Sequence, residues 1–134
     1  MCKLDYCKDG QTEATAIKTF QKAMKIIQSK TEIIVKNGTY TNYNFGNGNK
    51  NNPAVFSINN LNDILITNYP EHNPVIQFDG SGGIIMNEVS RVEIKGFEII
   101  GPNNDITKNE AMADRLLHSK KFSGRGIAIW SGNF

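Results

Sequence analysis

The sequence predicts an all-β fold: a right-handed parallel β-helix (solenoid) with an N-terminal capping α-helix, one domain spanning residues 1–134. Three observations carry this expectation. Short Ile- and Val-rich runs recur at a step near 28 residues. Each is three or four residues long, and most end in Asn or Gly, which turn a chain. A single amphipathic helix precedes them all, and no further helical pattern appears until about residue 108.

The helix is expected over residues 13–29. Ala16, Ile17, Phe20, Ala23, Met24 and Ile27 make one apolar stripe at a period of 3.6. Thr12 or Thr15 suits its N-cap, Glu13 the positive end of its dipole, and Lys25 and Lys30 the other end. Such a stripe must be buried against the segments that come after it in the chain.

Coils are expected over residues 31–134. The strand runs are Ile33–Val35, Val55–Ile58, Ile64–Ile66, Val75–Phe78, Ile84–Met86, Val92–Ile94, Phe97–Ile100 and Ile127–Trp130. Val55 to Ile84 is 29 residues, Ile64 to Val92 is 28, and Ile99 to Ile127 is 28. About three strands per step describe a chain that returns on itself, whereas a β-sandwich has longer strands and tight hairpins. Alternation in Val92-Glu93-Ile94 and Phe97-Glu98-Ile99 turns the apolar side chains toward one narrow core. An inserted loop and helix are expected over 102–125, with Glu110 to His118 helical and Ala111, Leu116 and Leu117 on its weak apolar side. Insertions at a coil corner are where binding loops lie.

Composition narrows the function classes. With 15 basic and 13 acidic residues, net +2, nothing pulls toward nucleic acid. No run of 18 apolar residues spans a membrane. There are 17 asparagines, concentrated from Asn37 to Asn73. They suit either hydrogen-bonded ladders along a stack or a polar, loop-rich surface. Cys2 and Cys7 do not make a zinc signature, which leaves a local disulfide or two free thiols. No basic-then-apolar leader follows Met1, so the chain is either cytoplasmic or has lost a leader.

Two linked motifs add a family resemblance. Asp9-Gly10-Gln11-Thr12 leads into Lys18-Thr19-Phe20-Gln21-Lys22-Ala23, and Val35-Lys36-Asn37-Gly38-Thr39-Tyr40 comes next. They resemble the D-G-x-T, K-T-[IF]-Q-x-A and V-x-x-G-T-Y pattern that opens the pectin-lyase-like superfamily. Val92 to Ile99 is similar to its V-x-I-x-G-F-x-I coil, so the resemblance covers nearly the whole chain. It implies a polysaccharide lyase-like protein, acting outside the cell or in the periplasm on acidic, uronate-containing polysaccharide. Lyases of this fold remove the C5 proton of a uronic acid with a Lys or Arg base, while calcium or basic groups neutralise the carboxylate. These groups lie on middle coils. No C-terminal cap pattern follows Ile127–Trp130, so the expectation is a fragment lacking the catalytic coils, with an open last coil free to self-associate. A non-catalytic glycan-binding or adhesion module is the alternative, and a glycoside hydrolase or epimerase is a third reading.

The residues that would touch substrate lie mainly in the insertion. Arg115, His118, Lys120, Lys121 and Arg125 suit an anionic sugar chain, or simply a solvated helix end. Arg125 sits between Gly124 and Gly126, which would let the backbone approach a ligand or form a plain turn. Trp130 suits either sugar stacking or core packing. Asp79 is the one metal candidate, for calcium, although Asp79-Gly80 also reads as a corner and calcium needs six to eight oxygens. His72, in a turn bracketed by Pro70 and Pro74, reads as structural, and Asn37-Gly38-Thr39 is a formal glycosylation sequon.

Overall fold

The computed structural model describes residues 9–46, 53–102, 107–117 and 124–130. Helix α1 (Phe20–Ile26) is shorter than the expected 13–29. The helix begins late because Thr12 and Thr15 hold each other in a turn. Their hydroxyls are 2.8 Å apart, and each hydroxyl accepts from the other residue's backbone N–H, at 3.1 and 3.2 Å. Such local bonds compete with helix formation. Thr19, rather than Thr12 or Thr15, is the N-cap, its side chain accepting from Lys22 N. Glu13 is drawn away from the helix into an ion pair with Lys36. At the other end Ile27 turns extended at ψ 140°, ending the helix. Phe20 and Ala23 are buried, and the Phe20 ring packs 4.9 Å from Phe56 and 5.0 Å from Tyr40.

The remaining described elements are nine strands and one later helix. The strands are β1 (Glu32–Val35), β2 (Thr39–Thr41), β3 (Phe56–Asn59), β4 (Asn62–Asn68), β5 (Val75–Gln77), β6 (Gly82–Asn87), β7 (Ser90–Lys95), β8 (Glu98–Ile100) and β9 (Arg125–Trp130), with α2 (Lys108–Leu117) between β8 and β9. The protein is therefore mostly β. Every expected run overlaps a strand, and β2 is one more. The strands form three parallel three-stranded sheets, ordered β1-β4-β7, β2-β5-β8 and β3-β6-β9, so each strand pairs with the third one after it.

Register sorts the expected spacings. Phe56 lies opposite Ile84 and Ile64 opposite Val92, both at a step of 28 residues. The expected Val55–Ile84 pairing is one residue out. The Ile99–Ile127 step is not a pairing: Ile99 lies opposite Ile76, and Ile127 opposite Ile84. The inserted segment lengthens the link between β8 and β9, so that spacing is a coincidence.

The core lies between the sheets. Phe56, Ile58, Ile64, Ile66, Ile76 and Ile84 are at most 2% exposed. Burying each contributes about 1.5–3 kcal/mol. Alternation sends Leu65, Glu93 and Lys95 to the outer face while Ile64, Ile66, Val92 and Ile94 turn inward. The inward rows end at Ile127 and Ile129, which are 46% and 57% exposed, although their register partners Ile84 and Met86 are 0% and 4% exposed.

Many asparagines tie neighbouring strands and corners together. Asn87 Nδ2 donates to Asn59 Oδ1 at 2.7 Å in register. Ser90 Oγ donates to Asn62 Oδ1 at 2.7 Å, and Asn62 N donates to Ser29 Oγ. Asn73 N donates to Asn37 Oδ1 at 2.6 Å, and Asn37 N donates to His72 Nδ1 at 2.8 Å, so His72 is structural. Corners repeat as well: Asn60 and Glu88 have φ 54° and 49°, and Asp63 and Arg91 have φ 59° and 52°. The latter two are joined by an ion pair across the same step. Gly96 has φ 79°, and a Cβ there would fall 2.0 Å from Asn68 Oδ1, so one corner needs glycine both for its backbone and for its neighbour.

Candidate functional site

The site is built where the chain leaves β8 and returns in β9. The Phe78 ring, 3% exposed, lies beneath this neck. A Cβ on Gly101 would stand 3.2 Å from Phe78 Cζ, and one on Gly124 would stand 2.7 Å from Phe78 Cε2. Gly124 therefore packs closely on Phe78. Beyond the neck, α2 opens with a capping box. Glu110 N donates to Thr107 Oγ1 at 3.3 Å, and Thr107 N donates to Glu110 Oε2 at 2.9 Å. No residue of α2 is buried, and its expected apolar side, with Leu116 and Leu117, is 78% and 77% exposed. Arg115 is exposed on this helix.

On β9 the structure joins two of the expected residues. The Arg125 guanidinium lies 4.5 Å from the centre of the Trp130 ring, a cation–π contact. Arg125 is exposed and Trp130 is 45% exposed. Trp130 follows Asn59 and Asn87 in register, and Glu88 N donates to Trp130 O at 3.2 Å. His118, Lys120 and Lys121 lie outside the described residues, as do Cys2 and Cys7.

Asp79 is engaged by protein groups. Asn42 Nδ2 donates to its Oδ1 at 2.8 Å, Gly46 N donates to its Oδ2 at 2.6 Å, and Asp79 N donates to Asn42 Oδ1 at 3.0 Å. Asn42, 3% exposed, is the buried half of this reciprocal pair. Among the described residues no three His, Cys, Asp or Glu side chains stand together to hold a metal ion, and no helix is long and apolar enough to cross a membrane.

A cleft of about 670 Å³ lies between residues 9–17, α1 and β1, lined among others by Phe20, Ile33, Tyr40 and Tyr69. The ion-paired Glu13 and Lys36 both line it. The hydrogen bond and charge of Lys36 hold the Glu13 carboxyl below the usual carboxylate range. Burial pushes the Tyr40 phenol up, and its hydroxyl donates to Lys36 O at 2.9 Å. Sequence reading missed this cleft because its walls come from three separate segments.

Comparison with known proteins finds no matching family model, no matching curated protein and no matching solved structure.

Proposed function

We propose that the three sheets are the walls of a right-handed parallel β-helix, and that this chain is the N-terminal part of a pectin-lyase-like protein acting on acidic polysaccharide outside the cell. The observation that carries this reading is that each strand pairs in parallel with the third one after it, at a step of 28 residues where β3 meets β6 and β4 meets β7. It is supported by the motif that begins at Asp9-Gly10, caps α1 with Thr19 and leads through Val35 to Tyr40 into β2. Parallel strands joined by crossover connections are almost always right-handed. A stack of this kind offers a long, evenly spaced outer face along which a polymer can lie.

The proposed chemistry is β-elimination. A base on a further coil takes the C5 proton of a uronate, the electron pair forms the C4–C5 double bond, and the glycosidic oxygen at C4 leaves as an alcohol after gaining a proton. The coils of this chain supply the scaffold and a place to hold the polymer. The test is to incubate the protein, at the length its gene encodes, with polygalacturonate, alginate and a glycosaminoglycan, following the ultraviolet absorbance of unsaturated uronate. Product with at least one polymer is the expected result, and silence across all three counts against the lyase.

A second reading is favoured by the exposed Arg125–Trp130 pair. A non-catalytic glycan-binding β-helix would use it to hold a uronate polymer, giving saturable binding with no product.

A further inference from the structure

We propose that Arg125 and Trp130 form a two-point subsite for a single uronate unit, with the indole taking the C–H face of the sugar and the guanidinium taking its carboxylate. The subsite rests on the acidic-polysaccharide reading and narrows it to a location and a selectivity. Trp130 lies in register with Asn87, which lies in register with Asn59. Their linked amides form a polar column beside it. The intervening residues Ile127 and Ile129 pair with the buried Ile84 and Met86 and so belong to the inward rows. Arg125 shares the parity of those isoleucines and lies opposite Gly82, whereas Trp130 has the other parity, so the contact between them joins side chains from the two faces of β9.

Selectivity comes from the contact between the two side chains. The guanidinium lies over the ring at 4.5 Å. A sugar that stacks on that face must displace it. A neutral sugar loses the cation–π contact and returns nothing to the arginine. A uronate returns a carboxylate, which the planar guanidinium can grip through two parallel hydrogen bonds. Aromatic face and fork together select an anionic ring over a neutral one of the same shape.

Trp130 is the single tryptophan of these 134 residues, and the part of the fluorescence change that Trp130→Phe abolishes reports this subsite. The experiment titrates the protein with oligogalacturonate, oligoguluronate and methyl-esterified oligogalacturonate. A saturable change with at least one of the two acids, and binding about 10-fold weaker or more for the ester, is expected, in keeping with the strength of charged hydrogen bonds. The two acids tell the pectic from the alginate source. Arg125→Gln should weaken acid binding by about 10-fold while the ester, which no longer has a guanidinium to displace, binds no more weakly than before. Arg125→Lys, which keeps charge but loses the fork, should fall between. Silence with both acids, equal affinity for acid and ester, or unchanged affinity in Arg125→Gln overturns the subsite. Binding without unsaturated product keeps the subsite and removes the lyase, while product with a silent tryptophan does the reverse.

Discussion

Gly96→Ala is the substitution whose cost the structure fixes most closely. Gly96 has φ 79°, where a side chain costs roughly 1–2 kcal/mol. Its Cβ would stand 2.0 Å from Asn68 Oδ1 and 2.3 Å from Asn68 Cγ. Asn68 must then swing away and give up the bond from its Nδ2 to His72 O, at 2.7 Å, worth about 1 kcal/mol. The stiffer unfolded chain returns about 0.5 kcal/mol. The net loss is about 2 kcal/mol, a fall in melting temperature of roughly 6–10 °C for a chain of this size. The assay is thermal or urea unfolding followed by circular dichroism, repeated in an Asn68→Ala background. There the carboxamide and its bond to His72 are already gone, while the Cβ of residue 68 still stands 2.9 Å away, and the same substitution should cost about 1 kcal/mol less. A loss below about 0.5 kcal/mol, or an equal loss in both backgrounds, would refute the stacking of this corner on the strand beneath it.

The same architecture sets other expected outcomes. Ile66→Ala, at a site 0% exposed, should cost about 2–5 kcal/mol, whereas Ile129→Ala, at 57% exposed, should cost below about 1 kcal/mol; unfolding curves for the pair measure the contrast. Glu88→Gly should stabilise the chain by about 0.5–1 kcal/mol by relieving its positive φ of 49°, read as a higher melting temperature. The Arg91 hydrogen bond holds the Asp63 carboxyl below its ordinary value of 3.8. A depressed carboxylate stabilises the fold above its unfolded pKa, and that contribution fades as pH falls through the lower folded value. Stability curves for the parent and Asp63→Asn should therefore converge in acid and separate near neutrality. The gap should be small, because the pair is exposed, and should narrow in salt.

Much of the fold is legible in the sequence, since period-2 alternation needs no tertiary partner to be seen. Val92-Glu93-Ile94 and Ile64-Leu65-Ile66 reveal their inward faces directly. Strand β2 is harder, because Thr39-Tyr40-Thr41 offers one large side chain and becomes a strand by pairing with Val75–Gln77. The start of α1 is obscured because the apolar stripe extends back to Ala16, while the Thr12–Thr15 turn wins locally. Exposure of Trp130 is not legible, since its outward position depends on lying opposite Asn87 rather than on its own apolar neighbours. The same holds for Asp79, whose Asp-Gly corner is visible in sequence but whose partner Asn42 lies 37 residues away.

The central claim, that parallel strands stack in register, as β6 does on β3 after 28 residues, is tested most directly by cross-linking. Asn59 and Asn87 lie opposite each other on adjacent parallel strands. Neighbouring strands stand about 4.8 Å apart, within disulfide range. With Cys2 and Cys7 changed to serine, Asn59→Cys combined with Asn87→Cys should form an intramolecular disulfide under mild oxidation, seen by intact mass. Ser57→Cys combined with Asn87→Cys, two residues out of register, should not. Efficient closure of the first pair alone is the predicted result; failure of the first pair, or equal closure of both, would contradict the stack.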